Sequence, residues 1–123
     1  MKLVINLVLG LNRAVLAEGL NLAYRAGIDP AAALDVLKAT PAYSTAMDTK
    51  GAKMVNRDYA LQAKLSQHLK DVTLIRALAR RSGAATPLSD VHEELLTFAA
   101  SAGLGDSDNS AIIEAYARRN TIR

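Results

Sequence analysis

Apolar residues in the first fifth of the chain recur with a period near 3.6. Leu3, Leu7, Leu11, Val15 and Leu22 mark one line, and Val4, Val8, Leu16 and Leu20 widen it. The spacing predicts one long helix over residues 2–26, ~38 Å from end to end. Its charges are Lys2, Arg13, Glu18 and Arg25. A helix apolar on most sides is buried on most sides. It is therefore expected either to run through the centre of the domain with neighbours all round it, or to be shared with a second subunit.

Punctuation sets the remaining elements. Gly27 reads as a C-terminal cap. Asp29-Pro30 reads as the N-cap and first position of a second helix, which runs to about residue 39 and is stopped by Thr40-Pro41. Residues 42–60 read as short helical pieces broken near Gly51, with a loop from Asn56 to Tyr59. A longer helix is expected over 61–82, ending before Gly83, and another over 87–102, ending at Gly103. The loop Gly103-Leu104-Gly105-Asp106 leads to a final helix over 108–119, and Asn120 to Arg123 is expected to fray. β-branched runs alternating with polar residues are scarce, which argues against a sheet. The expected fold is all-α: a single domain over 1–123, about six helices around a long N-terminal central helix.

Composition narrows the function classes. At 123 residues the chain holds one domain with a real core. It has no cysteine, which excludes disulfides and Cys-based metal sites and suits a reducing cytoplasm. The net charge is +3 and the pI about 9.4, but the basic residues are scattered, with pairs only at Arg80-Arg81 and Arg118-Arg119. Solvated helix faces explain that pattern better than a nucleic-acid footprint. Asn6, Asn12, Arg13 and Glu18 interrupt the first apolar run, so a soluble protein, neither membrane-spanning nor exported, is expected.

Lys2 and Asn6 lie one helical turn apart, so both project from one face. A cationic proton donor beside an amide that donates and accepts suits a substrate carrying a hydroxyl and a carboxylate. A working lysine would need partial burial, which brings its pKa toward the operating pH. In His68-Leu69-Lys70-Asp71, adjacent Lys70 and Asp71 face different directions, so one can enter a cleft while the other anchors locally. His68 reads as a surface or hydrogen-bonded helix residue, and His92 as part of an amphipathic helix; two isolated histidines make no metal site. Asp106-Ser107-Asp108-Asn109-Ser110 has the look of a calcium loop, but Ala111 and Ala117 stand where its Gly and Glu belong. Helix capping by Asp108 or Asn109 is the better reading. Gly103-Leu104-Gly105 is not a dinucleotide loop, because no third glycine and no strand accompany it.

Together these features resemble the C-terminal domain of the β-hydroxyacid dehydrogenase family, the 3-hydroxyisobutyrate dehydrogenase-like enzymes, with 6-phosphogluconate dehydrogenase as a larger relative. The resemblance rests on Lys2-Leu3-Val4-Ile5-Asn6, Ala17-Glu18-Gly19-Leu20, Gly27-Ile28-Asp29, Leu69-Lys70-Asp71-Val72, Pro87-Leu88 and Gly103-Leu104-Gly105-Asp106-Ser107-Asp108. It implies a helical domain built around the long helix that normally joins it to an N-terminal Rossmann domain. It further implies that Lys2 is the catalytic general acid/base, Asn6 the substrate-orienting amide, and Lys70 the lysine over the nicotinamide end of the cofactor. The implied reaction moves hydride between NAD or NADP and a small 2- or 3-hydroxy acid. Ala63 stands near where the family often has Phe.

The first helix begins almost at residue 1, which leaves no room upstream for a cofactor domain. The chain alone is therefore expected to bind no cofactor, to be inactive, and to associate as a homodimer or higher oligomer through its first helix. The alternatives are a helical interaction module without catalysis and, on the pI alone, a nucleic-acid-binding helical protein.

Overall fold

The computed structural model describes residues 1–120. Six α-helices follow in order: α1 Lys2–Arg25, α2 Pro30–Lys38, α3 Thr45–Asn56, α4 Leu65–Ser82, α5 Pro87–Ala99 and α6 Ile113–Ala117. A π-helical turn, Ala100–Leu104, extends α5, and a 3₁₀ turn, Asn109–Ile112, leads into α6. No strand occurs among the described residues, so the fold is all-α as expected. The expected fraying beyond Asn120 lies outside the described residues. Asn120 itself accepts a 2.7 Å hydrogen bond from Asn21 Nδ2.

Capping chemistry sets the first helix boundaries. At the end of α1, Gly27 takes a left-handed φ of 83°. The Ile28 amide then reaches back to the Ala23 carbonyl at 2.8 Å and the Gly27 amide to that of Tyr24 at 3.1 Å. This pair of bonds satisfies carbonyls that the helix end would leave bare. Asp29 accepts from the Ala31 amide at 3.3 Å, and Pro30 opens α2.

The core lies where α1 meets the other elements: Ala17, Leu20, Met54, Leu65, Val72, Leu96 and Ile112 are almost wholly buried. Yet α1 is not enclosed on all sides. Gly10, Ala14, Leu16, Ala17, Leu20 and Ala23 are buried, whereas Val4, Ile5, Val8, Leu9, Val15 and Leu22 are exposed. Five α-helices and their connections wrap one face and leave the opposite one bare. The first of the two expected settings, neighbours all round, is therefore not met within the chain. By length and composition α1 is also apolar enough to cross a membrane, with a mean hydropathy of 1.5 over its best window.

Several segments depart from the expected pattern: the π turn carries the end of α5 through Gly103 to Leu104, and the final helix expected over 108–119 is a 3₁₀ turn followed by the five residues of α6. Gly51 does not break a helix: α3 runs unbroken from Thr45 to Asn56, and Gly51 is buried within it. A Cβ there would fall 2.7 Å from a Leu34 methyl, so the missing side chain lets α2 and α3 approach. Helix α4 begins at Leu65 rather than 61. The Gln62 and Ala63 amides are taken by the Asp108 carboxylate at 3.1 and 3.0 Å. The Leu65 amide donates to the Ser107 carbonyl at 2.9 Å and the Asn109 amide to that of Ala63 at 2.8 Å. Donors committed to this pairing keep residues 61–64 out of the helix.

Candidate functional site

Lys2 is exposed and Asn6 half-buried, one turn apart at the start of α1. Lys70 is exposed on α4, and its neighbour Asp71 turns inward, its carboxylate 3.9 Å from His68 Nδ1. The two adjacent side chains thus differ in exposure, as their neighbouring places on the helix require. Among the described residues, Lys2 and Lys70 form no ion pair. The described residues supply no cover for Lys2.

The link between the two segments is a crossing of α1 and α4 at Gly10. A Cβ at that position would overlap the His68 ring, 2.6 Å from its Cε1, and would lie 3.1 Å from His92 Cε1. Only a bare backbone allows both imidazoles to rest there. The crossing stands one turn beyond Asn6 and two residues before Lys70, which brings the two segments to one region of the domain.

His68, expected at the surface or hydrogen-bonded on its helix, is buried, and so is His92. They are 7% and 2% exposed, with ring centroids 5.3 Å apart. Burial, and then the nearby Arg13 charge, push the His68 pKa down to about 4. Burial, His68 and Arg13 push that of His92 down to about 3. Burial also lowers Arg13, against a raising influence from Asp108. Both histidines are therefore neutral at pH 7 and act as packed polar rings. The burial of Arg13 and the two histidines was not legible in the sequence; the available signal was Gly10 within the apolar stretch of α1, which marks a close approach.

Behind this crossing lies a second buried arrangement. Lys50 Nζ donates to both oxygens of Asp108 at 2.9 and 3.0 Å. The same carboxylate accepts from the Ser110 amide at 3.0 Å and from Ser110 Oγ at 2.6 Å, as well as from the two amides ahead of α4. Burial alone would raise the Asp108 pKa, but these donors outweigh it and hold the carboxyl well below its usual range. Capping by Asp108 was legible in the sequence; its pairing with Lys50, 58 positions away, was not.

The described residues thus form an all-helical domain that presents a lysine and an amide on an uncovered helix, with a Lys-Asp pair on the helix crossing it. Residues 1–116 match the family model described as NAD-binding of NADP-dependent 3-hydroxyisobutyrate dehydrogenase, and the chain belongs to this family.

Particular relatives bear this out. The chain is 35% identical over 115 residues to glyoxylate/succinic semialdehyde reductase 2, chloroplastic, of Arabidopsis thaliana, covering 94% of this chain and 32% of the relative. It is 31% identical over 112 residues to the cytokine-like nuclear factor N-PAC of Aedes aegypti, covering 91% of this chain and 20% of the relative. The crystal structure of 3-hydroxyisobutyrate dehydrogenase from Salmonella typhimurium superimposes with a TM-score of 0.88 at 29% identity, covering 92% of this chain and 40% of that one. The chain thus spans well under half the length of the relatives it matches.

Proposed function

We propose that this chain is the C-terminal, substrate-side domain of an NAD(P)-dependent hydroxyacid dehydrogenase. In this reading Lys2 is the general acid/base at the substrate hydroxyl or its carbonyl product. Asn6 orients the substrate, and Lys70 lies over the nicotinamide end of the cofactor. The observation that carries it is the position of Lys2 and Asn6 on one face at the uncovered start of α1, beside the Gly10–His68 crossing that leads to Lys70.

The cofactor site belongs to a Rossmann domain that a separate polypeptide or a longer chain supplies. NAD or NADP, when bound there, accepts or delivers hydride. This chain's own part is to hold the substrate and move a proton at the Lys2 ammonium. Hydride transfer needs the reacting atoms held in near-contact geometry, so the isolated chain is inactive and binds no cofactor. We place it in the cytoplasm, without nucleic-acid or membrane partners, as a homodimer or higher oligomer that associates through α1.

The test is reconstitution with a matching cofactor domain and a screen of small hydroxy acids. Turnover is expected for the wild-type pair and none for Lys2→Ala. Full turnover by Lys2→Ala would remove the catalytic assignment.

A second reading, a helical association module without catalysis, draws support from the relative named as a nuclear factor. It predicts no turnover with any cofactor domain and self-association unchanged by Lys2→Ala.

A further inference from the structure

One cavity among the described residues does not touch Lys2, Asn6 or Lys70. It lies at the opposite end of α1, ~28 Å along the helix from Asn6, and has a volume of about 470 Å³. That is within the size range of small-molecule sites. Its floor is apolar and belongs to the core: Leu20, Met54 and Ile113 are buried. Its rim is polar and carries two guanidinium groups, Arg25 and Arg57.

Of the two guanidinium groups at that rim, Arg57 is engaged by a carboxylate and Arg25 is not. Asp29, the lining carboxylate, already accepts from the Ala31 amide. Glu114, next to the cavity, is engaged by Tyr59 Oη, by Arg57 Nε at 3.1 Å and by Arg118 Nε at 3.3 Å. Arg25 forms no ion pair among the described residues. Arg57 is held in the left-handed region, φ 52°, the sole non-glycine residue at positive φ among the described residues. That conformation costs energy in an L residue and is retained where the surroundings fix it. Here it caps α3 at the cavity edge, with the Arg57 amide bonded to Met54 and the Asp58 amide to Lys53.

We propose that this cavity binds a small organic anion: a carboxylate on a short apolar chain, the chain against Leu20 and Met54 and the carboxylate on Arg25. A planar guanidinium fork matches a carboxylate in shape and charge. The site is separate from the half-site on the first turns of α1 and does not depend on the dehydrogenase reading.

The probe is octanoate, titrated into the 123-residue chain and followed by the NMR signals of the Tyr24 ring and the Met54 methyl. Saturable shifts at both groups are expected, with acetate and octanol each failing to saturate them. Arg25→Met, at an exposed position, is expected to weaken binding about tenfold or more, the loss of one charge-assisted hydrogen bond. Ala117→Phe, which fills the cavity, is expected to abolish it. Absence of saturable shifts, equal binding of acetate, or unchanged affinity in Arg25→Met would each overturn the proposal.

Discussion

Lys50 and Asp108 form a buried ion pair that joins the middle of α3 to the turn before α6, with the ammonium 2.9 Å from one carboxylate oxygen and 3.0 Å from the other. Asp108 is completely buried and Lys50 nearly so. Removing one partner leaves the other charge uncompensated, which costs more than the pair itself contributes. Asp108→Ala is expected to destabilise the chain by ~3 kcal/mol or more. Lys50→Met is expected to cost less, because four protein donors still face the carboxylate. Urea unfolding of both variants measures the difference; equal losses would show that the lysine, not the amides, carries the carboxylate.

Three glycines in helices should respond differently to alanine. At Gly10 a Cβ meets buried imidazole rings that have no room to retreat, and Gly10→Ala is expected to cost ~1–3 kcal/mol. At Gly51 the obstacle is the end of Leu34, a side chain that can rotate, so the cost is smaller. At Gly19 nothing lies within 4 Å, and helix propensity alone should stabilise the variant by ~0.5–1 kcal/mol. Thermal or urea denaturation of the three variants should rank them in that order.

Stability should fall in mild acid. Unfolded, each histidine takes up a proton near pH 6.5; folded, His68 does so only near about 4 and His92 near about 3. Between those values the unfolded chain binds more protons. The histidine contribution is therefore full above 6.5 and is lost as the pH drops toward the folded values. Urea midpoints recorded from about pH 7 to about pH 4.5 should decrease, and His92→Leu should flatten the decrease. A wild-type midpoint that holds constant over this range would contradict the buried, neutral pair.

Association through α1 has its own test. Val8, Val15 and Leu22, spaced by seven, form an exposed seam with Val4 at its head. Light scattering is expected to report a dimer or larger species, and Val15→Glu to yield monomer with unchanged helicity. A wild-type monomer at tens of micromolar would remove the assembly.

Local chemistry was legible where it was local. The Asp29-Pro30 start, the Gly27 stop and the Asp108 cap were readable because each depends on residues a few positions apart. The extent of α1 was readable because 24 residues keep one period. What failed depended on partners distant in sequence. Gly51 looked like a breaker because its role is to admit Leu34. Residues 61–64 looked helical because nothing nearby shows that Asp108 takes their amides. His68 looked like a surface or hydrogen-bonded helix residue because its burial requires the Gly10 backbone to cross it. Lys2 and Asn6 stood out through spacing, and Lys70 through the resemblance of its Lys-Asp segment.

The first turns of α1 carry two kinds of side chain in alternation, with Asn6 between exposed Ile5 and half-buried Leu7, and Val8 and Leu9 following. On the proposed reading, chemistry and adhesion are written into the same few residues: a substitution that retunes how this rod sticks to a neighbour would also nudge the amide proposed to address the substrate, so the two traits would not drift independently.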